Sequence, residues 1–197
     1  MSSRSLLLAQ KETLRHEIKN RWALFSSGVA PKFLKERLQD HLGWWLRKHP
    51  GIWATYRPLK KEADPLVGPV TGIQWAFPRM AKDHLEFVLA NPEGSEPWMK
   101  HRWGIEEPPS CAPMVARDEL TGILIPGLAF DLQGARLGRG AGFYDRTLMD
   151  LGAGPFAGIK VGIAYGFQMV ETLPMEPHDV RMDVIVTEQS VFECGGF

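Results

Sequence analysis

Three stretches of this chain, TGILIPGLAF (121–130), IKVGIAYG (159–166) and MDVIVTE (182–188), are apolar almost throughout. A strand with one wet face alternates polar and apolar residues, so runs without alternation predict strands covered on both faces. Such strands belong to a parallel sheet with helices packed against it. The intervening segments supply the helices. Leu7, Leu14, Ile18, Trp22 and Phe25 fall at helical spacing and predict a helix over 5–25. Pro31 suits a first turn, and Phe33, Leu34, Leu38, Leu42 and Trp45 make the stripe of a second helix over 31–48. GFYDRTLMDL (142–151) predicts a third. Further strands are expected at GIWATYR (51–57), IQWAFPRM (73–80) and HLEFVLA (84–90), the last two joined by a turn at Lys82-Asp83. Residues 60–72 and 91–113, rich in proline, glycine and charge, read as loops. With no repeat and no linker, one α/β domain over 1–197 with a mostly parallel sheet is expected.

One segment fits neither strand nor helix. IPGLAFDLQGARLGRGAGFYDRTL (125–148) carries Gly138, Gly140 and Gly142 on alternate positions, with arginines between and around them. Glycine at every second residue weakens any regular element, but it lets a large ligand touch the main chain. The run lies between a buried strand and a helix, where ligands collect in α/β sheets. Arg136, Arg139 and Arg146 supply charge suited to phosphate oxygens. Neither known glycine-rich phosphate motif fits: there is no G-x-x-x-x-G-K-[ST], and Phe143 stands where G-x-G-x-x-G needs glycine. From the residues alone, a phosphate loop and a glycine-rich hairpin with solvated arginines both stand.

Lys plus Arg and Asp plus Glu each number 23, and zero net charge argues against a general nucleic-acid binder. No apolar run approaches the ~20 residues of a membrane span, and Leu6–Ala9 is too short for a signal-peptide core. Cys111 and Cys194 form no CxxC pair, consistent with a reduced cytoplasmic protein.

The segment at 125–148 resembles the pattern P-G-x-x-F-D-x-x-G-x-R-L-G-R-G-x-G-Y-Y-D of the 5-formyltetrahydrofolate cyclo-ligase family, also called methenyltetrahydrofolate synthetases. KETLR (11–15), YRPLKKEAD (56–64), WGIEEP (103–108) and HDVRMDVIVTE (178–188) resemble further family segments, in family order. The resemblance implies a single three-layer domain like those of sugar-phosphate isomerases and CoA-transferases. It implies ATP- and Mg²⁺-dependent conversion of 5-formyltetrahydrofolate to 5,10-methenyltetrahydrofolate. The expected partner is a small folate and not a nucleic acid or membrane, and a monomer is expected.

By the same resemblance, Lys11 and Arg15 reach the ATP phosphates, and Arg136, Leu137, Gly138, Arg139, Gly140, Ala141, Gly142, Phe143 and Tyr144 form the nucleotide loop. Arg139 is the expected catalytic residue, placed between ATP and the formyl group. Arg139 to Phe143 also border the folate, Glu62 contacts the pterin, and Arg57 lies at the substrate strand end, where it binds the glutamate tail or points to solvent. Asp145 and Asp179 are the expected Mg²⁺ ligands. Each has a plainer reading. Lys11, Arg15 and Glu62 fit a solvated surface, Asp145 fits a helix start, and Asp179 and Asp183 fit a turn. His178 reads as a loop residue, and Trp103 as packing more than as a stacking platform. Phe143 departs from the family's tyrosine pair, and Arg57 stands where an uncharged residue is common. These departures bear on the folate side and keep open a nucleotide-binding relative with another substrate or no activity. An RNA-binding module using RLGRGAGFY lacks the aromatic that its pattern needs at Ala141.

Overall fold

The computed structural model describes residues 3–26, 31–65, 68–92, 98–100, 105–149 and 154–195. Two helices come first, α1 (Ser3–Ser26) and α2 (Pro31–Leu46). Strands β1 (Gly51–Ala54), β2 (Ile73–Met80) and β3 (Leu85–Leu89) follow, then the short β4 (Met99–Lys100), β5 (Glu106–Glu107) and β6 (Met114–Val115). Next are β7 (Leu120–Pro126), β8 (Ala129–Phe130), β9 (Arg136–Leu137) and α3 (Phe143–Met149). β10 (Ile159–Ile163), β11 (Val184–Val186) and β12 (Val191–Glu193) complete the described chain.

Among the described residues, eight strands form one sheet in the order β12-β11-β10-β7-β1-β2-β3-β6. The five central strands, β11 through β2, run parallel, as expected for β7, β10 and β11 from their unbroken apolar sequences. The edges are antiparallel: β12 pairs β11, β3 pairs β2 and β6 pairs β3. β7 shows how both faces are covered. Its Leu124 packs with Ile18 and Trp22 of α1 and Leu38, Leu42 and Leu46 of α2. Ile123 and Ile125 belong to the opposite core, with Leu148 of α3, Phe130 and Phe156. The result is a three-layer α/β arrangement.

Several boundaries differ from the sequence expectation. The run at 121–130 does not continue as one strand. β7 ends at Pro126, which has no N–H to donate. The chain then turns into the β8–β9 hairpin, where Leu128 N–H donates to the Leu137 carbonyl at 2.8 Å. Residues 91–113 are not wholly irregular, since β4 and β5 pair within them. Phe33, expected on the apolar stripe of α2, is 60% exposed beside the Arg37 guanidinium, and Leu46 is buried instead. Trp103 and residues 150–151 of the expected third helix lie outside the described residues.

β2 lies on one side of β1 and β7 on the other, so the order of the chain reverses between β1 and β7. Connections leave this pair in opposite directions at the carboxyl ends, which opens a crevice there. The pairing depends on Gly122, opposite Trp53 in the register. A Cβ at Gly122 would stand 2.4 Å from the fully buried Trp53 ring and 2.5 Å from the Ile159 carbonyl oxygen. Gly122→Ala is expected to lower stability by about 2–3 kcal/mol through overpacking. Urea denaturation checks this, and an unchanged midpoint would show that the strands can separate to admit a methyl group.

Candidate functional site

The crevice at the β1–β7 reversal is a cleft of 440 Å³, within the range of small-molecule sites. Its walls come from several separate parts of the chain. Tyr56 and Arg57 follow β1, Pro126 ends β7, the loop 136–142 leads into α3, Lys11 and Arg15 reach in from α1, Glu106 comes from β5, and Glu176 and Asp179 come from the turn before β11. Every residue assigned to ATP, folate or metal in the sequence analysis lines this one cleft.

Lys11 continues the apolar stripe of α1, four residues after Leu7 and three before Leu14. That register faces the body of the protein, so Lys11 is only 5% exposed. Its Nζ donates to Asp179 Oδ2 at 2.6 Å and to Glu176 Oε2 at 3.1 Å. The Asp179 Oδ2 also accepts from Glu176 N–H at 2.7 Å, which fixes the turn that carries both carboxylates. The bond from Lys11 holds the Glu176 carboxyl below its ordinary range. Glu176 carried no assignment from the sequence. The available signals were its spacing of three from Asp179 and the buried register of Lys11.

The glycine loop keeps its backbone open. Gly140 and Gly142 adopt φ of 101° and 69°, the left-handed region that other residues avoid. Arg15 Nε donates to the Gly138 carbonyl at 3.2 Å and so ties α1 to the loop. The two flanking arginines are held differently. Arg136 is nearly buried, donating through Nη2 to Asp145 Oδ2 at 2.8 Å and through Nη1 to the Pro126 carbonyl at 3.2 Å. Arg139 is half-exposed and donates to Glu62 Oε1 at 2.7 Å and to the Lys60 carbonyl at 2.6 Å. Phe143 packs against the core on the α3 side, with the Arg146 guanidinium 5.1 Å from its ring centre.

Arg57 is engaged on three sides. It donates to Glu106 Oε2 at 2.8 Å and to the Pro92 carbonyl at 2.9 Å, and its guanidinium stacks 3.8 Å from the centre of the Trp98 ring. It therefore joins the end of β1 to β5. Asp183 accepts from Lys160 N–H and Nζ, a structural role between β10 and β11. His178 is exposed, 3.8 Å from Glu176.

Among the described residues, Glu176, His178 and Asp179 form a group whose ligand atoms lie within 4.8 Å of one another. Two carboxylates at this separation suit a hard divalent cation completed by water and phosphate oxygens. Asp145 stands apart from that group, in its pair with Arg136.

All three tyrosines of the chain have raised pKa values. Burial is the main cause at each, followed by the Glu62 carboxylate for Tyr56 and Tyr144 and by Asp64 for Tyr165, which is pushed up to about 12. A raised folded value favours the protonated phenol. This stabilisation is complete below the unfolded value of about 10 and is lost as pH climbs through the folded values. At about pH 11, the native protein should show little tyrosinate absorbance and the urea-unfolded chain nearly all of it. Equal absorbance would mean that the phenols are open to solvent.

The sequence pattern described as the 5-formyltetrahydrofolate cyclo-ligase family matches residues 69–188. A 5-formyltetrahydrofolate cyclo-ligase of Mycoplasma pneumoniae is 39% identical over 188 residues, covering 91% of this chain and 99% of that protein. The protein of the same name from Mycolicibacterium smegmatis is 39% identical over 99 residues, 46% of this chain and half of that protein's length. The solved structure of Aquifex aeolicus 5,10-methenyltetrahydrofolate synthetase superposes with a TM-score of 0.70 at 27% identity, covering 93% of this chain and 92% of that one. No described helix is long and apolar enough to cross a membrane.

Proposed function

The chain belongs to the 5-formyltetrahydrofolate cyclo-ligase family, and on that premise we propose that it converts 5-formyltetrahydrofolate to 5,10-methenyltetrahydrofolate, with ATP consumed and ADP and phosphate released. One observation carries the reading. Residues assigned by family resemblance, scattered from Lys11 to Asp179 along the chain, line a single cleft at the reversal of the sheet.

The need for ATP follows from the substrate. An N-formyl group is an amide, and closing the ring onto N10 must expel the formyl oxygen, a poor leaving group as hydroxide. Transfer of the γ-phosphoryl group to that oxygen releases ADP and makes the oxygen able to leave. N10 then bonds to the formyl carbon and gives up its proton to water, the C–O bond breaks, and phosphate departs with the electron pair. This chemistry asks the protein for positioning and for positive charge around the phosphoryl group.

Lys11, Arg15 and the main chain of the 138–142 loop are assigned to the ATP phosphates, with Arg136 fixed behind them by Asp145. Arg139 is assigned to the transferring group, and Glu62, its partner in the structure, to the pterin N–H edge. The pair then opens when substrate arrives, with carboxylate and guanidinium each taking a ligand group. Asp179 would hold Mg²⁺, joined by Asp145 once that carboxylate leaves Arg136, and the ion would supply positive charge to offset that of the phosphates. Because Arg57 is occupied by Glu106 and Trp98, its support for the folate is assigned to holding the cleft wall in place.

The purified protein with 5-formyltetrahydrofolate, ATP and Mg²⁺ should develop the near-ultraviolet band of the methenyl product, dependent on all three additions. ATP binding without that band would favour a relative with another substrate. Arg139→Ala should lower kcat about 10²–10³-fold with the fold intact. A variant turning over at the wild-type rate removes Arg139 from the chemistry.

A further inference from the structure

Lys11 occupies an unusual position for a phosphate-binding lysine. Its ammonium is buried, but it points at two carboxylates, Asp179 at 2.6 Å and Glu176 at 3.1 Å. Those carboxylates and His178 are also the described groups best arranged to hold a metal ion. A lysine cation and a divalent cation drawing on the same two carboxylates compete for them, since like charges this close repel. We propose that Lys11 is an internal counter-ion of the Glu176–Asp179 pair, displaced when a divalent metal binds there and thereby released to the nucleotide phosphates. The inference rests on the nucleotide- and metal-dependent reading above and adds Glu176 to the site as a second metal-holding carboxylate beside Asp179.

The packing of α1 gives Lys11 room to change partners. Between Arg4 and Gln10, every residue except Leu7 is exposed, so this part of the helix lacks an apolar seat. Ion pairs tie this end of the helix to the body, Arg4 to Glu176 at 3.5 Å and, just beyond the stretch, Lys11 to Glu176 and Asp179. The flexible lysine stem lets Nζ swing without unpacking Ile18 or Trp22, which anchor the helix further along. Exchange also explains how five positive side chains can line a cleft that holds no excess of charge before ligand arrives. Each cation other than Arg15 has an acidic partner within the cleft.

The test measures binding of Mn²⁺ alone, without nucleotide, by electron paramagnetic resonance. Mn²⁺ takes the same oxygen ligands as Mg²⁺. If Lys11 competes with the metal, Lys11→Gln should bind Mn²⁺ at least tenfold more tightly than the wild-type protein, and adding Asp179→Asn should abolish the gain. Equal or weaker binding in Lys11→Gln overturns the proposal, as does a gain that survives the second substitution. A measurement on the wild-type protein covers the case in which Lys11→Gln does not fold. The ¹⁵N signal of the Lys11 ammonium should show coupling to the carboxylates in the free protein and lose it with MgCl₂ and a non-hydrolysable ATP analogue. Coupling that persists in the loaded protein overturns the exchange. Neither readout uses turnover. A positive methenyl assay with unchanged Mn²⁺ affinity therefore rejects the exchange and leaves the reaction standing. Tightened Mn²⁺ binding with no methenyl product rejects the reaction alone.

Discussion

The Trp53 ring fills the space that a side chain on Gly122 would need. This close approach lets β1 and β7 lie side by side, and the cleft opens beyond their carboxyl ends. The reversal of strand order then sends the following segments apart, Tyr56 and Arg57 to one wall, Pro126 and Gly127 to the other. Burial on both faces makes this pair rigid, and a rigid floor suits a reaction that depends on positioning.

Above that floor the walls are built from ions already paired: Lys11 with Asp179 and Glu176, Arg136 with Asp145, Arg139 with Glu62, Arg57 with Glu106. Paired charges are less costly to desolvate than single ones. The arrangement keeps a strongly charged cleft stable before any ligand enters it. Under the proposed function, binding a polyanion is an exchange of partners, and the pairs differ in how firmly they are held. Arg136 is also bonded to the main chain and nearly buried, so it behaves as framework. Arg139 is half-exposed on a loop whose glycines take left-handed conformations. The more exposed cation is the one assigned to the chemistry.

Much of this was legible in the sequence. The unbroken apolar runs at 121–130, 159–166 and 182–188 mark the parallel centre of the sheet, because coverage on two faces leaves no reason for alternation. The glycine-arginine loop is legible because spaced glycines serve neither strand nor helix. The edges were less clear. β4, β5 and β6 are two residues long, too short to leave a periodic signal, and exist through pairing, β4 with β5 and β6 with β3. Glu176 was hidden for a related reason. Its importance comes from Lys11, 165 positions away, and a carboxylate in a proline-rich turn has no local mark of that contact. Lys11 itself was half-visible: family resemblance marked it with Arg15, but its seat on the apolar stripe became clear only with the helix docked.

The bond between Lys11 and Asp179 spans 168 positions. During synthesis at about 5–20 residues per second, α1 emerges roughly ten to thirty seconds before its carboxylate partners are made. The first turns of that helix, with Leu6 and Leu8 exposed, have no apolar face to dock by in the meantime. Closing so long a loop is an expensive late step, rewarded only when β11 has joined the sheet. One wall of the cleft is thus closed by a contact that can form only after nearly all of the chain has been made, so a truncated or stalled chain lacks it.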